Sequence, residues 1–237
     1  MSDARSIIVV TGGGPVATPF GRGTDGPVIA VVIAADGGVD GALAAGLEPD
    51  LVVGDFDSIS DAGRAWIEAN GTRIDRHPPD KDDTDTALAL QHAAVIAAER
   101  GIDQLLVLSP HGTDRFDHLL GTLIALGDPS LGEFHAIELR LGSSGITRVH
   151  VVHPGHRIAI DAANGSVFSL LAMHGPCHGI DVTRARWPLH DASLFPGSTL
   201  GISNEASEVP VTVAVRDGVL SVVVPPPIPA DHPEVTS

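Results

Sequence analysis

The sequence predicts an α/β N-terminal domain, with a mostly parallel, Rossmann-like doubly wound sheet, followed by an all-β sandwich domain. Three observations carry this. In the first half, β-branched apolar runs alternate with Ala- and Leu-rich helical stretches, the pattern of repeated strand–helix–strand units. After about Gly142 the helical windows vanish, and short β runs recur between Gly, Pro and Asn. Acidic clusters in the first half stand directly behind strand-like runs, and open α/β sheets bind ligands outside the carboxyl ends of their strands.

The elements follow in order. A β-branched run over 6–10 ends in the turn Thr11-Gly12-Gly13-Gly14-Pro15. A second strand over 28–34 leads into Asp36-Gly37-Gly38, and a helix over 39–45 stops at Gly46. A short strand over 51–53 ends at Gly54-Asp55. The helix over 60–70 has Ser60 or Asp61 as its N-cap and Gly71 as its stop. The clearest helix covers 83–100, opened by Asp and Thr and closed by Arg100-Gly101. A strand over 105–108 and a helix over 116–126 complete this half. Beyond it, β runs are expected over 148–152, 156–160, 166–171, 179–182, 209–215 and 219–224. The division is therefore 1–141 for the α/β domain, 142–226 for the sandwich and 227–237 for a Pro-rich, flexible tail.

A chain of 237 residues with 43% hydrophobic content can build a substantial core. No apolar run approaches the roughly 20 residues a membrane helix needs. The opening residues are unlike a secretory signal. The single cysteine, Cys177, precludes an internal disulfide and suits a reducing cytoplasm. The net charge of −16, from 14 Lys+Arg against 30 Asp+Glu, argues against nucleic acid and anionic membranes as partners.

The candidate site is acidic. Clustered carboxylates repel one another unless something positive sits among them, and Mg²⁺ commonly bridges a few carboxylates to substrate phosphates. Asp55 and Asp57, at i and i+2, would share one side of an extended strand, with Phe56 turned into apolar packing. Asp82-Asp83-Thr84-Asp85 opens the longest helix, where acids are also favoured simply by capping and the helix dipole. Lys81, at that helix entry, is well placed to meet phosphate. Gly37 and Gly38 either let the backbone approach a nucleotide closely or form an ordinary strand-to-helix turn. No P-loop or G-x-G-x-x-G fingerprint is present, so a nucleotide site here is of another type. Arg115, in Arg115-Phe116-Asp117-His118, is either a phosphate clamp or one half of a helix-start ion pair. Trp187 is notable because aromatics make up only 3% of the chain. It either stacks on a flat heterocycle or plugs the sandwich core. Trp66 reads as a packing residue.

Taken together, these segments resemble the thiamine pyrophosphokinase family. The matching pieces run in the family's order. They are Ala35-Asp36-Gly37-Gly38, the stretch from Pro49 through Gly54-Asp55-Phe56-Asp57-Ser58, and Asp80-Lys81-Asp82-Asp83-Thr84-Asp85. Arg115-Phe116-Asp117-His118, Trp187-Pro188-Leu189 and Gly201-Ile202-Ser203-Asn204-Glu205 follow. The resemblance implies transfer of the diphosphate of ATP to the hydroxyl of thiamine, giving thiamine diphosphate and AMP, in a cytoplasmic homodimer. It implies Asp55, Asp57 and Asp85 as Mg²⁺ ligands, with Arg115 completing the catalytic set. Asp36, Gly37, Gly38 and Ser58 would lie on the ATP side, as would Lys81, Asp82, Thr84, Asp117 and His118. Trp187, Ser203 and Asn204 would hold thiamine. Departures from the family's pattern fall at Asp40, Thr113, Asp114, Thr122 and Ala185. Two alternatives stay open: another heterocyclic alcohol as acceptor, such as a hydroxymethylpterin, or a binding relative without turnover.

Overall fold

The computed structural model describes residues 5–18, 28–110 and 115–227. Thr113, Asp114 and nearly all of the expected tail lie outside the described residues.

The first half is an α/β unit. Its strands are β1 (Arg5–Val10), β2 (Val28–Ala35), β3 (Leu51–Gly54), β4 (Arg73–Arg76), β5 (Gln104–Ser109) and β6 (Ala136–Leu141). Its helices are α1 (Gly38–Ala44), α2 (Asp61–Asn70), α3 (Asp85–Arg100) and α4 (Phe116–Ala125). The strands pair in parallel in the order β4-β3-β2-β1-β5-β6. Strand periodicity of 2 divides their side chains between two cores. Ile7, Val9, Leu105 and Val107 pack with Leu90 and Ala93 of α3, whereas Ile8, Val10, Leu106 and Leu108 pack with Ala42 of α1. Apolar side chains on both faces are why these strands read as continuous hydrophobic runs.

The helix boundaries follow local chemistry. The Ser60 side chain accepts from the Gly63 amide, and Gly71 closes α2 in the left-handed conformation. Thr84 caps α3 by accepting from Ala87, and left-handed Gly101 ends it. α3 therefore starts at Asp85, and Asp82 and Asp83 lie ahead of its cap. β4, with the polar sequence Arg-Ile-Asp-Arg, gives no apolar signature because it is the exposed edge of the sheet.

The second half comprises β7 (Thr147–Val152), β8 (Arg157–Ile160), β9 (Val167–Leu171), β10 (Cys177–Thr183), β11 (Leu189–Leu194), β12 (Asn204–Glu205), β13 (Val211–Ala214) and β14 (Leu220–Val224). Four of these strands extend the first sheet, because β7 pairs antiparallel with β6 and is followed by β14, β9 and β12. The remaining four form a separate sheet ordered β11-β10-β13-β8, which packs across them. One ten-stranded sheet thus crosses residue 142 without a break. β14 serves both halves: Leu220, Val222 and Val224 enter the sandwich core, and Val223 packs against the α/β core. Among the described residues, no helix is long and apolar enough to cross a membrane.

Histidines close the junction between the halves. His153 Nε2 donates to the Leu126 carbonyl at 3.1 Å, and His156 Nε2 to the Gly132 carbonyl at 2.8 Å. His174 shares a 3.2 Å hydrogen bond with Ser221 and fills the space over Gly127, where a Cβ would lie 2.1 Å from its Nδ1. Burial holds His150, His153 and His174 below the ordinary imidazole value of 6.5. The unfolded chain therefore takes up these protons first as pH falls. Stability from this source is complete above about pH 6.5 and is lost as pH drops toward the lower folded values. Guanidinium unfolding midpoints should decline between pH 7.5 and 5.5, and a flat profile would contradict this reading.

Candidate active site

The strand order reverses at β1, between β2 and β5, and a cleft of about 1070 Å³ opens outside the carboxyl ends of the strands there. Thr11 and Ser109, the first polar residues after β1's apolar run and at the end of β5, form its floor. Both are buried and joined by a 2.9 Å hydrogen bond from Thr11 Oγ1 to Ser109 Oγ. Neither was singled out from the sequence, although each directly follows an unbroken apolar run.

Carboxylates enter from two strand ends. Asp36 follows β2 with φ 43°, its amide donating to the Val53 carbonyl at 2.8 Å. Asp55 and Asp57 follow β3, but not in an extended strand. Phe56 between them is left-handed, with φ 72°, and the Asp57 amide turns back to Asp55 Oδ1 at 3.1 Å. The expected strand geometry is therefore wrong, while the expected packing of Phe56 is right. Its ring is buried with Val39, Val52, Ile59 and Ile67, and the Arg76 guanidinium lies 4.6 Å from its centroid. That anchor brings both aspartates to one place. Carboxylate oxygens of Asp36, Asp55 and Asp57 all lie within 4.8 Å of one another.

The convergent trio thus includes Asp36, which the sequence reading put on the nucleotide side, in place of Asp85. Asp85 stands next to it. Gly54, at φ 150°, leaves the room: a Cβ there would lie 3.0 Å from Asp36 Cβ and 3.1 Å from Asp85 Oδ1. Lys81 supplies the positive charge, with Nζ 2.9 Å from Asp85 Oδ1 and 3.7 Å from Asp55 Oδ2. Burial pulls its ammonium down, but the close contact and charge of Asp85, together with Asp55, outweigh that and raise its pKa. The ammonium makes a close ion pair with Asp85 Oδ1, approaching in a direction that does not form a well-aligned hydrogen bond. Asp36 Oδ2 accepts from Ser58 Oγ, whereas Asp36 Oδ1 is buried without a donor among the described residues. The negative charges of Asp55 and then Asp36 raise the Asp57 pKa.

Most of the expected nucleotide-side residues line the cleft, namely Asp36, Gly37, Ser58, Lys81, Thr84, Arg115 and His118. Three do not. Gly38 lies beneath, where a Cβ would come 2.2 Å from the Val10 carbonyl oxygen. Asp82 is replaced in the lining by Asp83. Asp117 is turned onto Arg115, which grips it with two hydrogen bonds of 2.9 and 3.1 Å and brings its pKa down to about 2. The N-terminus of α3 opens into the cleft at Thr84–Thr86, and helix N-termini favour anions.

Two of the departures have structural employment. Asp40 accepts from the Ser60 amide and hydroxyl, which fixes the start of α2. The Thr122 hydroxyl donates to the His118 carbonyl at 3.0 Å.

Trp187, Ser203 and Asn204 lie elsewhere, for among the described residues the cleft lining includes none beyond Thr122. Trp187 is 53% exposed, which rules out the core-plug reading. The Arg186 guanidinium lies over its ring at 4.7 Å. Asn204 is buried and committed to Trp187's backbone, accepting from its amide at 3.2 Å and donating to its carbonyl at 2.8 Å. Ser203 is exposed and left-handed, with φ 61°.

Fold and cleft together define an α/β protein with a carboxylate-rich cleft at its topological switch point and a β-sandwich continuing its sheet. Comparison with known proteins specifies it further. A profile described as thiamin pyrophosphokinase, catalytic domain, matches residues 29–136, and one described as thiamin pyrophosphokinase, vitamin B1 binding domain, matches 155–220. The thiamine pyrophosphokinase of Bacillus subtilis (strain 168) is 30% identical over 188 residues, spanning 79% of this chain and 84% of that protein. A crystal structure of thiamine pyrophosphokinase from Bacillus subtilis superposes with TM-score 0.68 at 27% identity, covering 94% of this chain and 100% of that one. Thiamin pyrophosphokinase from Candida albicans shares the fold, with TM-score 0.68 at 13% identity over 94% of this chain and 90% of its own. The chain belongs to the thiamin pyrophosphokinase family.

Gly54→Ala should cost about 1–3 kcal/mol, because a side chain is strained at this φ and its Cβ presses on Asp36 and Asp85. An unchanged denaturation midpoint would show that the carboxylates are not held as tightly as described.

Proposed function

We propose that this chain transfers the diphosphate of ATP to the hydroxyl of thiamine, giving thiamine diphosphate and AMP, with Mg²⁺ as cofactor. The observation that carries the reading is the convergence of Asp36, Asp55 and Asp57, together with an Asp36 Oδ1 that is buried without a donor among the described residues. Crowded hard oxygen donors are a fitting set for Mg²⁺. These three would hold it, with Asp85 adjacent. When bound, the ion neutralises charge on the phosphates and orients them.

The chain's own residues supply the rest. Lys81 and Arg115 each hold a carboxylate, and phosphate oxygens offer them the same kind of acceptor. Both are positioned to bind the triphosphate and stabilise the departing AMP. The thiamine hydroxyl attacks the β-phosphorus, and the bond between the β-phosphorus and the oxygen bridging it to the α-phosphate breaks. Phosphoryl-type transfer depends on positioning and charge compensation more than on covalent help from the protein. Trp187 would stack on the aminopyrimidine of thiamine, with Ser203 alongside, and Asn204 fixes the backbone that presents the indole. These groups are absent from the cleft lining, and apolar Phe195, Leu200 and Ile202 are exposed in the same segment of chain. Both features support a homodimer in which the sandwich of one subunit brings thiamine to the cleft of its partner. A cytoplasmic location suits the single, buried Cys177.

Purified protein given thiamine, ATP and Mg²⁺ should release AMP and thiamine diphosphate in equal amounts. Asp57→Asn should lower that turnover by orders of magnitude while circular dichroism stays native. AMP release with another heterocyclic alcohol but not with thiamine would overturn the acceptor. Near-normal turnover of Asp57→Asn would remove Asp57 from the metal site.

A further inference from the structure

A second convergence of metal-type donors stands at the edge of the sheet, outside the cleft lining. Asp75 lies on the edge strand β4, His77 just beyond it, and His92 on α3. His92 Nε2 is 2.5 Å and His77 Nε2 is 3.1 Å from the same atom, Asp75 Oδ2. One ligand atom from each residue lies within 4.8 Å of the other two. The side chains are part-buried, at 37%, 27% and 29% exposure for Asp75, His77 and His92. The donors are therefore held in place yet open to solvent.

The sequence explains the meeting. Residues i and i+2 of an extended segment share a face. Asp75 and His77 are the part-buried positions flanking exposed Arg76, which turns the other way to stack on Phe56. Their face is the one covered by α3.

The donor chemistry differs from that of the cleft. Two imidazoles and one carboxylate suit a borderline first-row dication such as Zn²⁺, whereas Mg²⁺ takes oxygen donors. Three protein ligands leave a coordination position for water. Without a metal, each ring donates its Nε2 hydrogen to Asp75 Oδ2; a bound dication would take the Nε2 lone pairs instead, with the ring hydrogen on Nδ1.

We infer that Asp75, His77 and His92 form a second metal site, for a zinc-class dication, which staples edge strand β4 to α3. The ligands bracket the segment 78–84, which carries Lys81 and ends at the α3 cap, Thr84. The His77 amide also donates to the Gly54 carbonyl at 2.9 Å. A dication there fixes both ends of the segment that delivers Lys81 and Asp85 to the cleft. The inference stands independently of the reaction proposed above.

The test uses the full chain, stripped with a chelator and kept in excess Mg²⁺ so that the all-oxygen cluster is occupied. Zn²⁺ is titrated by calorimetry, and Co²⁺ by visible absorption as a reporter of imidazole coordination. The wild type should bind one equivalent of Zn²⁺ and show the Co²⁺ ligand-field bands. His92→Gln and His77→Asn, checked for native circular dichroism, should each weaken binding by at least about tenfold. Asp55→Asn should bind Zn²⁺ as the wild type does. No binding to the wild type would overturn the site. So would binding that survives both histidine substitutions, or binding lost in Asp55→Asn.

Discussion

The repulsion among carboxylates at the ends of β2 and β3 is the constraint on which the rest of the structure depends. Two unit charges 4 Å apart repel by about 4 kcal/mol in the effective dielectric near a protein surface, and solvent reduces this where the groups are exposed. The chain nevertheless brings Asp36, Asp55 and Asp57 within 4.8 Å of one another, with Asp85 against Gly54. It does so with backbone conformations that L-residues adopt at a cost, at Asp36 and Phe56, and with a glycine where no Cβ fits. The cost is met by buried structure around the site. Phe56 is locked into the α2-side core, and the Asp36 amide is tied to β3. Lys81 offsets part of the charge. An arrangement that resists its own electrostatics this consistently supports the cation site proposed above.

The continuous sheet ties the sandwich to the half that carries the cleft. β6 hands the sheet to β7 in antiparallel pairing, and β14 packs one face on each core, so the sandwich is built into the same framework as the cleft. The histidines at 153, 156 and 174 seal the junction. Trp187 of the same chain does not line the cleft. The homodimer proposed above would bring a partner's sandwich, with its Trp187, to this cleft.

Much of this was legible in the sequence because it is local. The runs of β1, β2, β3 and β5, the Ser60 and Thr84 caps, the left-handed Gly71 and Gly101 and the position of the acids behind strands all follow from neighbouring residues. What escaped was set by distant parts of the chain. β4 is polar because the sheet ends there, and β6 alternates apolar and polar residues at the point where the two halves meet. Leu189–Leu194 becomes a strand only by pairing with β10. Phe56 is left-handed because a pocket between β3 and α2 holds its ring. Asp40 and Asn204 find their partners 20 and 17 residues away, in Ser60 and Trp187. Asp36 was recognised as a site residue, but its place among the converging carboxylates required the register of β2 on β3.

The most direct test is to locate a divalent cation. Crystals grown with Mn²⁺ and a non-hydrolysable ATP analogue should give an anomalous peak in coordination range of Asp36, Asp55 and Asp57, about 2.0–2.2 Å from their oxygens, and bridging to the analogue's phosphates. Phosphates bound in the cleft with no cation among these carboxylates, or a cation held only elsewhere, would contradict the account.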